Sequence, residues 1–311
     1  MNRVLVSAEV EAFLRNVEVP DDVEVELLDP DDDVPSGTYA GILPLLTRSI
    51  GPAELDRLDG LRVVANMAVG YDNVDLEAAR ERGVRVTNTP DVLTDATAEL
   101  TWALILAVAR RIGEGERLVR AGEWEGWSPT GLLGTQLTGK LLGIVGAGRI
   151  GREVGRRAGA FGMDVAYWNR TPHDRWADEI GAWRVETVGA LAADADVLSV
   201  SVASTPETHH LIDAGVLARL RDGAMLVNTA RGEIVDEAAL ITELESGRIR
   251  AGLDVYEEEP VVPDRLRALD NVVLLPHMGS GTQQTRQAMF DLAWENLVRC
   301  VRGDEPSTPV V

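Results

Sequence analysis

Hydrophobic and polar positions along the chain fall into two alternating series. In the first, short β-rich runs appear at RVLVS (3–7), EVELL (24–28), AGILPL (40–45), RVVAN (62–66) and VRVTN (84–88). Between them lie amphipathic segments such as PAELDRL (52–58) and DLEAARERG (75–83), whose apolar positions recur at helical spacing. A long helix is expected over 94–112, opened by the capping candidates Thr94 and Asp95 and closed near Gly113. After a Gly- and Trp-rich connector (113–140), a second series begins at LLGIV (141–145). It continues through MDVAYW (163–168), VLSVS (197–201), AMLVN (224–228), AGLDV (251–255) and VVLLP (272–276). These runs are apolar at consecutive positions, as strands covered on both faces are. A last helix is expected over about 282–302. Strands alternating with helices from end to end predict an α/β protein built on parallel sheets.

A length of 311 residues and a hydrophobic content of 45% allow two domains with ordinary cores. The apolar run Leu100 to Ala109 is too short for a bilayer core of ~30 Å. The N-terminus has no signal-peptide pattern, so a cytoplasmic protein with no membrane partner is expected. Cys300 is the only cysteine, which excludes an internal disulfide and a thiolate metal cluster. The acidic loop DPDDDVPSG (29–37) lacks the ordered spacing of a calcium loop and reads as solvated chain, so no metal site is placed. Net charge is −21, from 51 acidic and 30 basic residues, which argues against a nucleic-acid partner. Lys140 is the single lysine. Genomic base composition can favour Arg over Lys without physical cause, but the acidic excess suits a halophilic protein whose self-repulsion is screened by salt.

One motif directs the chemistry. Gly146-Ala147-Gly148-Arg149-Ile150-Gly151 matches GxGxxG, follows an apolar strand and precedes an expected helix. In that context the first glycine permits a tight turn and the second lets a pyrophosphate approach backbone N–H groups. The third lets helix and strand pack closely. An acidic residue some twenty positions on would bind both ribose hydroxyls; this chain has Asn169, Arg170 and Thr171 instead. A guanidinium and a hydroxyl suit a 2′-phosphate, so NADP(H) is preferred over NAD(H), which stays possible because Arg170 could instead stack on adenine. His173 and Arg175 lie close in sequence.

Three later segments place charged groups just beyond apolar strands: NTARGEIVDE (228–237) with Arg231, GLDVYEEEP (252–260) with three glutamates, and LPHMGSGT (275–282) with His277. Ligands of doubly wound sheets sit at the carboxyl ends of strands, which brings these distant segments to one edge. Singly, each has a bland alternative: a surface ion pair, an acidic loop, a histidine bonded to backbone.

Together with MAVGYDNVDLEAARERGVRVTNTPDVLTDATAE (67–99) and TPETHHLI (205–212), these segments make the chain resemble the D-2-hydroxyacid dehydrogenases over nearly its whole length, most closely the glyoxylate/hydroxypyruvate reductase branch. The resemblance implies two doubly wound parallel-sheet domains. One is a flavodoxin-like substrate domain (1–96 plus 284–311); the other is a Rossmann NAD(P)-binding domain (97–283), with a cleft that closes on substrate. It implies Arg231, Glu259 and His277 as the catalytic set. Backbone N–H groups of Val69 and Gly70 would hold the substrate carboxylate, with Leu45 and Leu46 lining the pocket. Thr97, Val202, Thr208, Ala230 and Gly279 would touch coenzyme, together with the glycine loop and His277, and Asp254 would bind the nicotinamide amide. Where the family commonly has Pro-Leu before the Thr205-Pro206 pair, this chain has Ala203-Ser204.

Chemically, Arg231 can polarise a 2-oxo acid, and a neighbouring Glu259 favours the imidazolium form of His277, a proton donor in reduction and a base in oxidation. The implied activity is reversible reduction of a 2-oxo acid to a D-2-hydroxy acid. A homodimer is also implied, with the apolar helix 98–109 as an interface element or simply as domain core. Rival readings are an NAD(H)-sensing corepressor of the same fold and dehydrogenases of the phosphoglycerate or formate type. The formate type pairs His with Gln where Glu259 stands here.

Overall fold

The computed structural model describes residues 1–311. The chain forms two compact units, Met1–Leu93 with Ser280–Val311 and Thr94–Gly279. The divisions fall a few residues earlier than the expected 96/97 and 283/284. Thr94–Ala109 is one continuous helix, and a boundary inside its first turn would split it.

In the first unit the strands are β1 (Asn2–Ser7), β2 (Val23–Leu28), β3 (Gly37–Thr38), β4 (Gly41–Leu43), β5 (Leu58–Asp59), β6 (Val63–Ala65) and β7 (Arg85–Thr87). The main sheet has the order β2-β1-β4-β6-β7 and every pairing is parallel. This is the flavodoxin-like order, with the chain reversing direction of addition between β1 and β4. β3 and β5 pair separately, so Leu58, expected in a helix, lies in a strand; that helix stops at Asp56. One face of the main sheet is covered by Leu5, Ile42, Val64, Val86 and the side chains packed on them. The C-terminal helix Gln283–Arg302 covers β4 so closely that a Cβ on Gly41 would stand 2.6 Å from Leu297. Arg62 reaches this helix's end and donates to the carbonyl of Val301.

In the second unit the strands are β8 (Leu141–Val145), β9 (Asp164–Trp168), β10 (Trp183–Arg184), β11 (Val197–Val200), β12 (Met225–Asn228), β13 (Arg250–Leu253) and β14 (Val272–Leu274). Their order is β10-β9-β8-β11-β12-β13-β14, all parallel, which is the Rossmann arrangement extended by a strand. Alternate residues feed two cores: Leu198, Val200 and Leu226 pack on one face, Val197, Met225 and Val227 on the other. Short polar residues start the helices between strands. The side chain of Asp213 accepts from the N–H of Val216 at 2.8 Å and Asp236 from Ala239 at 2.9 Å.

The helix expected over 94–112 is broken. It ends at Ala109; Arg111 adopts a left-handed φ of 55°, and a second helix, Ile112–Arg120, starts at the last residue of the expected helix and runs into what reads as connector. The returning chain causes the stop: the N–H of Thr135 takes the carbonyl of Ala109 at 2.7 Å, and Gly134 lies against that oxygen where no side chain fits. Arg111 is then held by Glu114 at 2.6 and 2.7 Å. Within the first helix, Trp102, Leu104, Ile105 and Val108 are buried in the unit's own core. No helix is long and apolar enough to cross a membrane.

Candidate active site

The sheet of the second unit reverses between β8 and β11, and the glycine loop leaves β8 at that point. Gly146 has φ 97°, and a Cβ there would stand 2.6 Å from Val202 and 2.7 Å from the carbonyl of Ser201. A Cβ on Gly151 would meet the carbonyl oxygen of Gly146 at 2.1 Å, so the loop closes on the helix Arg149–Ala158 only because this position is bare. Gly148 differs: nothing lies within 4 Å of a Cβ there. Two glycines are filled by protein and the middle one faces open space, at the N-terminus of a ten-residue helix. That is the cradle a pyrophosphate needs.

Asn169, at the end of β9, is fixed to this loop. Its Oδ1 accepts from the N–H of Ala147 at 3.1 Å and its Nδ2 donates to the carbonyl of Thr171 at 2.8 Å. Arg170 and Thr171 are exposed beyond it. Arg152 stands 3.4 Å from Nδ1 of His173, and burial and the Arg152 charge hold that imidazole below its usual value. Arg149 is exposed, and Ile150 packs on the core beneath. Thr208 is buried and its hydroxyl is engaged, accepting from the N–H of Thr205 at 2.8 Å and donating to the carbonyl of Ala203 at 2.7 Å.

The strands β12, β13 and β14 deliver the charged residues. Gly232, next to Arg231, lies against the main chain of Tyr256; a Cβ there would stand 1.9 Å from the Tyr256 carbonyl carbon. This bare contact lets the turn after β12 approach the 254–260 loop that carries Glu259. Asn228 anchors the turn, donating to the carbonyl of Arg231 and accepting from the N–H of Ala230. The N–H of Tyr256 donates to Oε1 of Glu259 at 3.1 Å, and the other oxygen, Oε2, lies 2.7 Å from Nδ1 of His277. Burial pushes the Glu259 carboxyl up. The hydrogen bond and charge of His277, the Tyr256 N–H and the Arg231 charge outweigh it, leaving Glu259 below the ordinary carboxylate value. Burial pushes the Tyr256 phenol up to about 12, and its O–H donates to the carbonyl of Leu275.

His277 has φ 50°, a left-handed conformation that costs energy in a non-glycine residue. The turn is wrapped on Asp254: the N–H of His277 donates to the Asp254 carbonyl and that of Met278 to Oδ1, both at 2.8 Å. Asp254 is fully buried and its Oδ2 makes no hydrogen bond. Thr97 and Gly279 line the same spot: a Cβ on Gly279 would lie 3.4 Å from both Asp254 Oδ2 and Thr97 Cγ2. A buried, orphaned carboxylate oxygen fits an amide N–H₂ donor, the group a nicotinamide presents. Residues present thus suit a dinucleotide at both ends.

In the first unit, Val69 and Gly70 have their carbonyls taken by Asn88 at 2.8 Å and Asn66 at 2.9 Å. Leu45 and Leu46 follow β4 and are half-buried; Leu45 borders a hollow of about 370 Å³ with Ser7, Glu9, Arg48 and Glu54. Sequence inspection missed Asn228 and Tyr256. A polar residue ending the otherwise apolar MLVN strand was the available signal for Asn228; nothing local marks the Tyr256 N–H as a partner of Glu259.

Comparison with known proteins agrees. Residues 102–279 match the model of the D-isomer specific 2-hydroxyacid dehydrogenase NAD binding domain. A glyoxylate reductase of Thermococcus litoralis is 46% identical over 270 residues, 85% of this chain and 81% of that protein. A protein of Thermus thermophilus superposes with a TM-score of 0.89 at 44% identity, covering 99% of this chain and 100% of its own. The NADPH-dependent glyoxylate/hydroxypyruvate reductase of Sinorhizobium meliloti, solved with NADP and malonate, gives 0.90 at 37% identity over 100% of this chain and 97% of that one. The chain belongs to the D-2-hydroxyacid dehydrogenase family, and within it to the glyoxylate/hydroxypyruvate reductase branch.

Proposed function

We propose that the protein reduces small 2-oxo acids to D-2-hydroxy acids with NADPH preferred over NADH, glyoxylate and hydroxypyruvate being the first substrates to test. The observation that carries this is the 2.7 Å contact between His277 Nδ1 and Glu259 Oε2, on the same sheet edge as Arg231 and the orphaned Asp254 oxygen. The Thermococcus and Sinorhizobium relatives, named for glyoxylate reduction, support the substrate class.

The coenzyme would rest on Gly146, Gly148 and Gly151, with Asn169, Arg170 and Thr171 at its adenosine end and Thr97, Asp254 and Gly279 at its nicotinamide end. Reduced nicotinamide supplies the hydride that reaches C2 of the substrate. Arg231 holds the 2-oxo acid and polarises its carbonyl by charge. Glu259 accepts from Nδ1 of the His277 imidazolium, which directs Nε2 away from the carboxylate as the proton donor. That nitrogen gives its proton to the carbonyl oxygen as negative charge develops there, and recovers one in the reverse direction. The same proposal assigns the N–H groups of Val69 and Gly70 to the substrate carboxylate and Leu45 and Leu46 to its side chain.

Arg170 carries the coenzyme preference: it is exposed where a 2′-phosphate would lie and no acidic residue replaces it on that turn. A homodimer belongs to this reading, with the exposed Val119, Trp124, Trp127 and Leu133 as its apolar contact. So do a cytoplasmic setting and a requirement for salt, which would screen the net charge of −21. The deciding experiment is a panel of 2-oxo acids assayed with both coenzymes. Turnover of glyoxylate or hydroxypyruvate with a higher kcat/KM for NADPH is expected. No turnover with any 2-oxo acid sinks the activity; a clear NADH preference sinks only the coenzyme assignment.

A further inference from the structure

A second histidine–carboxylate cluster lies in the same unit and takes no part in the proposed reaction. His210 Nε2 stands 2.7 Å from Oε1 of Glu257, and the His209 and His210 rings stack with centroids 4.0 Å apart. One ligand-type atom from each of His209, His210 and Glu257 falls within 4.8 Å of the others. We propose that these three residues bind a transition-metal dication of the zinc, cobalt and nickel class.

A simple hydrogen-bonded pair would account for His210 and Glu257 but leaves the stacked His209 without a reason. Two imidazoles and one carboxylate are a borderline donor set that suits zinc-like ions and leaves a fourth position for water. Magnesium and calcium want oxygen ligands throughout and should be refused. Metal–ligand bonds of about 2.0–2.2 Å put neighbouring donors roughly 3.0–3.5 Å apart. The His210–Glu257 distance must therefore open slightly and His209 must turn inward, which its exposed side chain permits.

The scaffold holds the cluster in place. His210 has φ 49°, and its N–H is tied to the carbonyl of Glu233 at 2.8 Å, with Ile212 tied to Ile234 two residues on. The N–H of Glu257 faces Oε2 of Glu237 at 3.5 Å, and Glu258 follows. These carboxylates add negative charge around the ligands and favour a cation. A bound ion would join the segment after β11 to the loop that carries Glu259.

The test is cobalt(II) titration of tag-free protein, followed by visible absorption and equilibrium dialysis. One equivalent should bind, with d–d bands of a low-coordinate N/O site, and the melting temperature should rise with cobalt or zinc but not with magnesium. His209→Gln and His210→Gln should each weaken binding at least tenfold, and His277→Gln should leave it unchanged. His209→Gln decides if the His210 variant folds poorly, since the His209 side chain is exposed. No uptake by the wild type overturns the site; so does uptake that survives His209→Gln but disappears with His277→Gln, which would assign the metal to the His277–Glu259 pair.

Discussion

The two ends of the coenzyme unit's sheet edge are built from different materials. At β8 the site is made of backbone and missing side chains: Gly146 and Gly151 are bare because protein atoms stand within 3 Å of where a Cβ would be, and Gly148 is bare beside open space. At β12–β14 it is made of side chains that fix one another: Glu259 between Tyr256 N–H and His277, Asp254 beneath the His277 turn. A phosphate-like ligand changes little during a reaction and is served by rigid dipoles. A carbonyl gains charge and a proton, and needs groups that can move a proton at one atom. Substitutions at the two ends should therefore damage different observables.

The largest effect is expected at the side-chain end. His277→Asn should lower kcat by about a thousandfold, within the range for loss of a general acid–base group, while the Kd for NADPH stays within about twofold. Near-normal turnover would remove His277 from proton transfer. Gly151→Ala should do the converse. Its methyl group would sit 2.1 Å from the Gly146 carbonyl oxygen, so the loop must shift. NADPH affinity should drop by roughly tenfold or more with a lower melting temperature, while the pH dependence of kcat stays put. Unchanged coenzyme affinity would mean the glycine is a packing feature only.

The same contrast decides what was legible in the sequence. The glycine loop could be read because its partners are local: a strand, a tight turn and a helix, all within the segment. The apolar runs likewise marked every strand of the two main sheets except the edge strand β10, since parallel strands covered on both faces leave little room for polar residues, whereas Trp183 and Arg184 of β10 are exposed and carry no such run, and the short pair β3 and β5 went unmarked too. Family motifs pointed to Arg231, Glu259 and His277, but what holds them depends on tertiary approach. Gly232 pressing on Tyr256 and the Tyr256 N–H on Glu259 have no sequence period. Tertiary override also explains the broken helix. TDATAELTWALILAVARRI has helical character throughout, yet the chain returning at Thr135 claims the Ala109 carbonyl and ends the helix there. His209, His210 and Glu257 went unnoticed as a cluster because His210 and Glu257 are 47 residues apart.

Smaller changes sharpen the comparison. Glu259→Gln keeps an oxygen for Nδ1–H of His277 but removes the negative charge. The proton donor then lacks its partner charge, so kcat for reduction should drop by about tenfold, the order expected for losing one close opposite charge, and the acid-side loss of rate that comes from protonating Glu259 should disappear. In the wild type the Glu259 carboxyl lies below its ordinary value of 4.5, so the pair stays intact down through mildly acidic pH and is lost only as pH falls through that lowered value. A variant with wild-type kcat and an unchanged acid-side loss would show that the Glu259 carboxylate does not support the proton donor. At the other end, Arg170→Ala should weaken NADPH by about tenfold, the loss of one charge-assisted contact, and leave NADH unchanged. Equal loss for both coenzymes would assign Arg170 to the adenine instead.

The smallest effect should come from Asp254, where the two designs meet: a side chain that holds backbone and also keeps an unpaired oxygen. Burial, stronger than the opposing N–H groups of Met278 and Gly279 and the His277 charge, holds its carboxyl above the ordinary value of 3.8. A carboxyl raised in the folded state favours folding as the acid and costs stability as the anion. That cost appears as pH rises from the ordinary value through the raised one, and persists above it. Asp254→Asn keeps an acceptor for Met278 N–H and carries no charge. The variant should melt about 2–4 °C higher than wild type at pH 8, the shift that roughly 1 kcal/mol makes in a unit of this size, with the advantage shrinking as pH falls through the raised value toward the ordinary 3.8. Coenzyme affinity should fall at the same time, because the anionic acceptor for the nicotinamide amide is gone. A melting difference that does not change with pH would mean Asp254 is not a buried charge held for a ligand, and a stability gain without any loss of affinity would detach it from the nicotinamide.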